Sequence, residues 1–199
     1  MPAHTGVALW ICAEKEATDM GFEFSILDFI QGIRTPALDT IMCFITKLGN
    51  AGILWILLAA VLIAIPKTRK SGVIVMVALV FDVILCNGIL KNLVGRIRPC
   101  DINTAVQLLV PRPTDFSFPS GHTAASFTAV TALYCAGEKK LWKISLVLAV
   151  LIAFSRLYLY VHYPTDILGG ILVGLLCGYI GSVAGKYLYK TAEKKFANR

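Results

Sequence analysis

Ser155-Arg156-Leu157-Tyr158-Leu159-Tyr160-Val161-His162-Tyr163-Pro164-Thr165-Asp166 lies between two strongly apolar segments of the chain. Ionisable side chains are costly next to hydrocarbon, so an arginine, a histidine and an aspartate in this setting indicate a functional site. Pro164 suits the first turn of a helix, which puts Asp166 one turn from His162. A carboxylate bonded to imidazole fixes its tautomer and stabilises its charged form. The stretch therefore predicts a chemically active histidine beside the start of a helix.

The composition is that of a membrane protein. Of the 199 residues, 57% are hydrophobic and 16% are charged, with a mean hydropathy of +0.72; soluble chains carry about 25% charged residues. Several apolar runs approach the ~20 residues that cross a bilayer, and no alternating barrel pattern appears. The net charge of +7 comes largely from short loops between these runs, which disfavours nucleic-acid binding. We expect an all-α integral membrane bundle of five to six transmembrane helices.

The apolar pattern divides the chain into four parts. Residues 1–21 are mixed in polarity, lack a signal-peptide pattern and are expected to form a poorly structured or dispensable leader. Residues 22–48 mix apolar and charged positions at helical spacing, which favours an N-terminal amphipathic, interfacial helical region, with a broken sixth span as the alternative. Residues 49–187 form the predicted membrane-embedded core, and residues 188–199 a basic cytoplasmic tail. The predicted spans of the core are 49–66, 71–95, 119–136, 142–161 and 164–187.

The basic residues predict an orientation in the membrane. The loops at 67–70 and 138–143 and the tail beyond Lys186 are basic, and they lie at alternate ends of the five core spans. Basic loops are typical of the cytoplasmic side. The loop 96–118 and residues 155–166 then share the opposite face. We expect a multi-pass protein of the cell membrane whose site faces the extracytoplasmic side.

Cysteine and glycine residues suggest packing rather than chemistry. The six cysteines show no metal-ligand or redox spacing, and four of them lie in apolar stretches as small hydrophobic residues. A disulfide between Cys12 and Cys100 is left open. Gly170, Gly174 and Gly178 recur at four-residue spacing, which predicts close packing of the last helix against a neighbour.

A second polar stretch is Lys-Asn-Leu-Val-Gly-Arg-Ile-Arg-Pro at residues 91–99. If it is helical, Lys91 and Arg98 lie on one face, about 10 Å apart along the axis. Arg96 then falls about 140° from Lys91 and is expected to be a poorer partner for the same ligand. Pro99 marks the end of the helix. Taken alone, these cations could equally be snorkelling residues at the membrane interface.

A third polar stretch, Pro-Ser-Gly-His-Thr at residues 119–123, precedes an apolar helix. Ser120 suits the N-cap, and Gly121 lets the backbone approach a ligand closely. The free N–H groups of a helix N-terminus bind anions, and His122 adds a proton donor in the first turn. Taken alone, this stretch could be an ordinary helix cap.

Together the stretches suit phosphoryl transfer. Cations and free amides match an anion with about two negative charges, and such reactions are catalysed by positioning and charge stabilisation. We expect His162, held by Asp166, to attack phosphorus, and His122 to protonate the leaving oxygen and then activate water. No carboxylate cluster suited to Mg²⁺ is visible in the sequence, and we expect a reaction without metal or cofactor. The predicted phosphate-binding residues are Lys91, Arg98, Ser120, Gly121 and Arg156.

The three stretches resemble the signature motifs of the type 2 phosphatidic acid phosphatase, or lipid phosphate phosphatase, superfamily. These motifs are Lys-x6-Arg-Pro, Pro-Ser-Gly-His and Ser-Arg-x5-His-x3-Asp, and all three match here without a gap or substitution. The resemblance implies a six-helix core, for which residues 22–48 would supply the interfacial or sixth helix. It also implies His162 as nucleophile, Asp166 as its partner and His122 as acid and base.

The resemblance also suggests the substrate and partners. The small core and outward site resemble bacterial members that act on undecaprenyl diphosphate and so recycle the cell-wall carrier. Phosphatidic acid and phosphatidylglycerophosphate are the alternatives, because the motifs recognise the phosphate and not the lipid tail. We therefore expect a lipid phosphate and the surrounding membrane lipids as the partners of this chain.

Two other classes of protein fit the sequence less well. A transporter of phosphate-like anions usually shows repeats or interrupted helices with a site near the midplane; here the charged groups gather at one end of the spans. A non-catalytic lipid-binding protein is disfavoured because both histidines and Asp166 are present. Among other polar residues, Asn87 is expected to orient Lys91. The remaining three are expected to be structural or solvated: Asp82, Arg112 and Asp115.

Overall fold

A computed structural model describes residues 21–197, in which the regular secondary structure is helical and no strand occurs. The helices are α1 (21–32), α2 (Pro36–Leu48), α3 (Ile53–Ala64), α4 (Arg69–Asp82), α5 (Pro99–Ile102), α6 (Gly121–Ala136), α7 (Leu141–Tyr158) and α8 (Pro164–Ala197). Beyond Asp82 the chain continues α4 through a π-helical segment, Val83–Leu90, and a last α-helical turn, Lys91–Val94. The predicted leader, apart from residue 21, and Cys12 with its possible disulfide lie outside the described residues.

Several described helices are suited to a bilayer. The continuous segments Arg69–Ile102, Leu141–Tyr158 and Pro164–Lys195 are long and apolar enough to cross it. Helix α2 and the segment Asn50–Ala64 pass the same test together, as one broken span bent by 44°. The part of the chain that the structure describes therefore has three candidate spans, or four with the bent pair.

The outer faces of these helices carry large apolar side chains. On α8, Leu168, Leu172 and Val183 are all more than half exposed. A soluble protein rarely exposes so continuous an apolar surface, whereas hydrocarbon tails provide it with a solvent of matching polarity. The chain is thus a multi-pass membrane protein whose described part is all-helical.

Prolines begin two helices, and the sequence analysis predicts one of these starts, that at Pro164. The side chain of Thr35 caps α2 by accepting a hydrogen bond from the backbone N–H of Leu38 at 3.3 Å, and Pro36 occupies the first turn. Pro164 likewise begins α8, directly after the loop that contains His162. The N–H groups of the first turn have no partner within the helix, so a proline there removes no intrahelical hydrogen bond, and its fixed φ suits the helix.

The bend between α2 and α3 is built from Gly49-Asn50-Ala51-Gly52. Ala51 has φ 49° and Gly52 has φ 66°, so both residues adopt the left-handed region, which is strained for alanine. A Cβ on Gly49 would lie 2.8 Å from Cδ2 of His122, so a larger residue would displace that ring. The bend therefore wraps closely around His122.

Helix α8 packs against α6 through the predicted glycine stripe. A Cβ on Gly170 would lie 2.8 Å from the Ser120 carbonyl oxygen, and one on Gly174 would lie 2.7 Å from that of Ala124. Lower on α8, a Cβ on Gly185 would lie 2.8 Å from the Cα of Ile74 on α4. The glycines thus let α8 approach two neighbouring helices, which fixes the start of α8 beside the start of α6.

Candidate active site

One cavity brings the three polar stretches together. Its volume is about 480 Å³. Six of the predicted residues line it: Lys91, Arg98, Gly121, His122, Arg156 and His162. The other two predicted residues adjoin it, since Asp166 lies behind His162 and the Ser120 N–H donates to the Asp166 carbonyl at 3.1 Å. All eight predicted residues therefore belong to one site.

His162 and Asp166 are both buried and are close to each other. Nδ1 of His162 lies 3.3 Å from Oδ2 of Asp166. The same oxygen accepts the backbone N–H of Tyr163 at 2.8 Å and the hydroxyl of Ser117. Asp166 lies in the first turn of α8, where a carboxylate is favoured by the free N–H groups of the helix. These partners fix the carboxylate, and the carboxylate in turn orients the imidazole of His162.

The other ring nitrogen of His162 faces the cavity. Its Nε2 lies 3.1 Å from Nη1 of Arg98, which can only donate. These partners assign the ring proton to Nδ1, beside Asp166, and leave the lone pair on Nε2. Burial lowers the pKa of His162 to about 3; Arg98 and Arg156 add to this effect, and Asp166 opposes it. The imidazole is therefore neutral near pH 7, as a nucleophile requires.

Lys91 and Arg98 converge by a route that the sequence analysis did not predict. The helix ends at Val94, and Gly95 adopts the left-handed region at φ 61°, with its N–H bonded to the Lys91 carbonyl. The expectation that both cations lie on one face of a continuous helix is therefore wrong. A glycine in this conformation ends a helix because it has no Cβ to clash. The turn brings Arg98 back towards Lys91.

A carboxylate, that of Asp115, joins these two cations. Its Oδ2 contacts Nζ of Lys91, and its Oδ1 accepts from Nη2 of Arg98 at 2.7 Å. Burial alone would raise the pKa of Asp115, but the hydrogen bonds and charges of the two cations outweigh it and lower the pKa to about 2. The side chain is 54% exposed, yet the expectation of an ordinary solvated loop residue is wrong.

Arg156 enters the cavity from α7. It is buried, and its Nη1 donates to the Thr46 hydroxyl at 2.7 Å. Among the described residues, its Nε has no hydrogen-bond partner. A buried guanidinium N–H without a partner is costly, and a bound anion would satisfy it. Arg156 is thus suited to bind an oxyanion in this cavity.

The start of α6 forms the opposite wall. Ser120 is the N-cap residue, although its hydroxyl accepts from Thr123 at 3.0 Å instead of capping a backbone N–H. A Cβ on Gly121 would lie 3.1 Å from Oδ1 of Asn87 and 3.9 Å from Nζ of Lys91. Glycine thus keeps the helix N-terminus open to a ligand beside Lys91.

His122 has a partner that the sequence analysis missed. Its Nε2 lies 2.9 Å from Oδ1 of Asn50, in the bend between α2 and α3. An amide oxygen accepts, so Nε2 carries a proton in this arrangement. The glycines on both sides of Asn50 signal a break in the helix, but the sequence does not say which side chain the break faces.

Arg96 lies on the far side of Asp166 and does not line the 480 Å³ cavity. Its Nη1 donates to Oδ1 of Asp166 at 2.7 Å and to the Thr165 hydroxyl at 2.6 Å, and its Nη2 contacts the carboxylate of Glu23. Ser117 and Glu23, like Asn50, were missed, because an isolated serine or glutamate in sequence does not indicate its partner in space.

The remaining polar residues are more peripheral. Arg112 lines the cavity but pairs with Asp101 and the Cys100 carbonyl oxygen. Asn87 lies beside Gly121, and its predicted effect on Lys91 stays a prediction. Asp82 is buried in α4 and lines a second cavity. Within residues 21–197, no group of three or more His, Cys, Asp or Glu side chains is arranged to hold a metal ion.

This second cavity, of about 400 Å³, adjoins the first and extends between α3 and α4. The two share four lining residues: Lys91, Asp115, Gly121 and His122. Away from these residues, the wall is largely aliphatic and includes Ile56, Leu79, Val83 and Ala125. A phosphate at the histidines would thus have an apolar space beside it.

A helical membrane core that surrounds a buried histidine, its carboxylate and several cations defines a membrane-embedded phosphatase. The chain belongs to the PAP2 superfamily, whose profile matches residues 71–190. The resemblance inferred from the three motifs is therefore confirmed, and so is the predicted class of enzyme, a phosphatase of a lipid phosphatase family.

Two curated relatives show the range of this family. An undecaprenyl-diphosphatase of Sulfolobus acidocaldarius is 31% identical over 156 residues, which cover 78% of this chain and 75% of that protein. Phosphatidylglycerophosphatase B of Bacillus subtilis is 35% identical over 159 residues, covering 74% of this chain and 75% of the relative.

Two solved structures share the fold. LpxE of Aquifex aeolicus has a TM-score of 0.70 and 30% identity, covering 80% of this chain and 94% of that one. A PAP2-type phosphatidylglycerolphosphate phosphatase of B. subtilis has a TM-score of 0.69 and 30% identity, covering 85% and 87%. The fold and the family are thus supported by independent comparisons.

Proposed function

We propose that this protein hydrolyses undecaprenyl diphosphate to undecaprenyl phosphate, without metal, through a phosphohistidine on His162. The observation that carries the proposal is the setting of His162: a neutral imidazole, backed by Asp166, with Nε2 directed at a cavity lined by cations. This is the arrangement that an attacking imidazole needs.

In the first half-reaction, Nε2 of His162 attacks the terminal phosphorus. A P–N bond forms and the P–O bond to the leaving group breaks, while His122, as the imidazolium, donates its Nε2 proton to the leaving oxygen and becomes neutral. The imidazole gains positive charge as it is phosphorylated, and the Asp166 carboxylate beside Nδ1 stabilises that charge.

In the second half-reaction, a water molecule attacks the phosphorus of the phosphohistidine. His122 takes a proton from this water, and the P–N bond breaks with its electron pair returning to Nε2 of His162. Inorganic phosphate leaves, and both histidines are restored to their starting states.

The phosphoryl oxygens would be bound by cations and by the N-terminus of α6. The residues assigned to this role are Lys91, Arg98, Ser120, Gly121 and Arg156. Fixed donors of this kind stabilise the charge that develops in the transition state, which is the task that a metal performs in other phosphoryl-transfer enzymes. An incoming phosphate would compete with Asp115 for Lys91, because an anion already contacts that ammonium group.

Undecaprenyl diphosphate is favoured by the names of several relatives, including those from S. acidocaldarius and BcrC of B. subtilis. The apolar cavity between α3 and α4 would accept the adjoining part of the prenyl chain. Phosphatidylglycerophosphate is the second candidate, since a relative and a solved structure are phosphatases named for that lipid. Both substrates present a terminal phosphate to the same histidine.

For the membrane arrangement, we propose the full bundle of five to six crossing helices. Helix α6 has 16 residues and is mostly buried among its neighbours, so it would cross with them although it is short. Helix α1 would lie at the interface. The basic loops would be cytoplasmic, so the site would open to the extracytoplasmic side.

The test is phosphate release by the purified protein in detergent micelles with three substrates: undecaprenyl diphosphate, phosphatidylglycerophosphate and phosphatidic acid. We expect undecaprenyl diphosphate to have the highest kcat/KM, and His162→Ala to release no phosphate. A higher kcat/KM for phosphatidylglycerophosphate would favour the second candidate. Wild-type protein that released no phosphate from any of them would contradict the proposed hydrolysis. Micelles also exclude transport as the source of the signal, because transport needs a sealed vesicle.

A further inference from the structure

Arg96 connects two carboxylates that come from opposite ends of the chain. One is Asp166, whose Oδ1 accepts from Nη1 of Arg96 at 2.7 Å. The other is Glu23 of α1, which is buried and contacts Nη2. The guanidinium also stacks on the ring of Tyr163, 3.9 Å from its centroid. A planar group held by two carboxylates and an aromatic face has little freedom to rotate.

The two oxygens of Asp166 have different partners. Oδ2 is bonded to Ser117 and to the backbone of Tyr163 and faces Nδ1 of His162. Oδ1 has Arg96 as its partner. Arg96 therefore fixes the rotation of the carboxylate about its last bond, and with it the oxygen that His162 meets.

The charges require the same contact. Asp166 is fully buried, and a buried carboxylate needs a compensating positive charge. His162 does not supply one before the reaction, because its imidazole is neutral near pH 7. Among the described residues, the cation in direct contact with Asp166 is Arg96.

Glu23 has two effects on this arrangement. Its Oε1 accepts from the Thr165 backbone N–H at 3.1 Å and from the Thr165 hydroxyl, so it also binds the start of α8. Its negative charge offsets part of the positive charge of Arg96. The set Glu23, Arg96 and Asp166 carries one net negative charge, which remains available to stabilise His162 when that residue becomes charged.

We propose that Arg96, held in place by Glu23 of α1, is the positioning residue for the Asp166–His162 pair. The proposal rests on the proposed roles of those two residues and adds two residues, Arg96 and Glu23, that act through them. Neither Arg96 nor Glu23 lines the cavity assigned to the phosphate. Their effect should therefore appear in the chemical step and not in substrate binding.

The experiment measures kcat and KM of the full chain in detergent for wild type, Arg96→Gln, Glu23→Gln and the double variant. We expect Arg96→Gln to lower kcat about tenfold or more, because groups that orient a reactive residue typically have effects of that size. Its KM should stay within about twofold. Glu23→Gln should lower kcat less. In the Arg96→Gln background, Glu23→Gln should have no further cost, since glutamine keeps an oxygen that accepts from Thr165 and the lost charge acts through Arg96.

A matched control separates this role from the general loss of an ion pair. Arg34→Gln breaks the pair with Asp39, and Arg34 and Arg96 are similarly exposed, at 22% and 25%. We expect Arg34→Gln to leave kcat within about twofold of wild type. Arg96→Lys keeps the positive charge, but an ammonium group cannot bridge both carboxylates as a planar guanidinium does. Its kcat should therefore lie between those of Arg96→Gln and wild type.

Three results would overturn the proposal: unchanged kcat in both single variants, a defect confined to KM, or effects that multiply in the double variant. If Arg96→Gln does not fold, Glu23→Gln and Arg96→Lys test the proposal by the same criterion, which is a lower kcat with KM within about twofold of wild type. Wild-type turnover that is lost in His162→Ala would show that the proposed function holds even where this inference fails.

Discussion

At the scale of single residues, His162 depends on the difference between its two nitrogens. Nδ1 faces a carboxylate and Nε2 faces a guanidinium, so the proton and the lone pair have fixed places. Burial and the neighbouring cations, whose combined effect lowers the pKa of His162 to about 3, keep the ring neutral without a deprotonation step. The proposed attack by His162 would therefore need no prior deprotonation at any pH near neutrality.

The first prediction concerns the two arginines of residues 96–98. Arg98 contacts His162 and lines the cavity, whereas Arg96 contacts Asp166 and does not line it. We expect Arg98→Ala to lower kcat/KM by about a hundredfold or more, with a raised KM, and Arg96→Ala to cost less and to spare KM. Steady-state kinetics on one lipid phosphate would check this. Equal losses, divided equally between kcat and KM, would contradict the assigned roles.

The second prediction concerns Asn50 and the acid step. Without the amide oxygen at 2.9 Å, His122 loses its orientation. We expect Asn50→Ala to slow hydrolysis of phosphatidic acid about tenfold, because its alkoxide leaving group needs a proton. Formation of the phosphoenzyme from p-nitrophenyl phosphate, whose leaving group needs none, should change far less. The same loss with both substrates would argue that Asn50 has no part in protonation.

The third prediction concerns Asp115 and pH. The pKa of Asp115 falls from its usual 3.8 to about 2. Its ionic contacts therefore stabilise the fold fully at a pH above 3.8, and this stabilisation is lost as the pH falls through about 2. We expect Asp115→Asn to lower Tm near about pH 7, and the gap to wild type to narrow below the usual pKa of 3.8 and to close near about pH 2. Asp101→Asn, at an exposed pair with Arg112, is the control and should change Tm little. A gap that did not depend on pH would refute the ionic explanation.

At the scale of elements, helix starts were predictable and one helix end was not. Pro36 and Pro164 each indicate the start of a helix, because proline fits the first turn of a helix and little else in it. Gly95 could have continued the helix at modest cost, and the tertiary contacts of Arg98 decide that it does not. Lys91 and Arg98 thus line one cavity, but the predicted geometry that brings them together was wrong.

The fourth prediction belongs to the contact between α6 and α8. A Cβ on Gly174 would lie 2.7 Å from both the Ala124 carbonyl oxygen and the Cβ of Phe127, so Gly174→Ala should push the helices apart. We expect a loss of about 1–3 kcal/mol, seen as a lower Tm in detergent. Gly32→Ala is the control, because no atom lies within 4 Å of a Cβ there. An unchanged Tm for Gly174→Ala would show that this contact can relax without cost.

At the scale of the whole molecule, the convergence of distant segments was partly foreseeable. Alternating spans placed residues 91–99, 119–122 and 155–166 at one end of the bundle, and the motifs named the eight residues that meet there. The contributions of α1 and of the α2–α3 bend were not foreseeable. Glu23 and Asn50 act through partners about 70 or more positions away in sequence, and neither belongs to a motif.

The cavity between α3 and α4 is a property of the assembled bundle as well. It depends on the π-helical segment Val83–Leu90 and on the bend at Gly52, and the sequence indicated neither its shape nor its volume. The motifs recognise the phosphate and therefore identify a lipid phosphatase family, whereas the proposed binding of the lipid tail in this cavity rests on the structure.

The central claim is most directly tested by trapping the phosphoenzyme. Purified protein in detergent with excess EDTA would be mixed with ³²P-labelled substrate, quenched, and assayed for label that is stable to alkali and labile to acid, as phosphohistidine is. The account predicts label on wild type, more label on His122→Ala with a good leaving group, and none on His162→Ala. Turnover by His162→Ala comparable to that of His122→Ala, or activity abolished by EDTA, would contradict it.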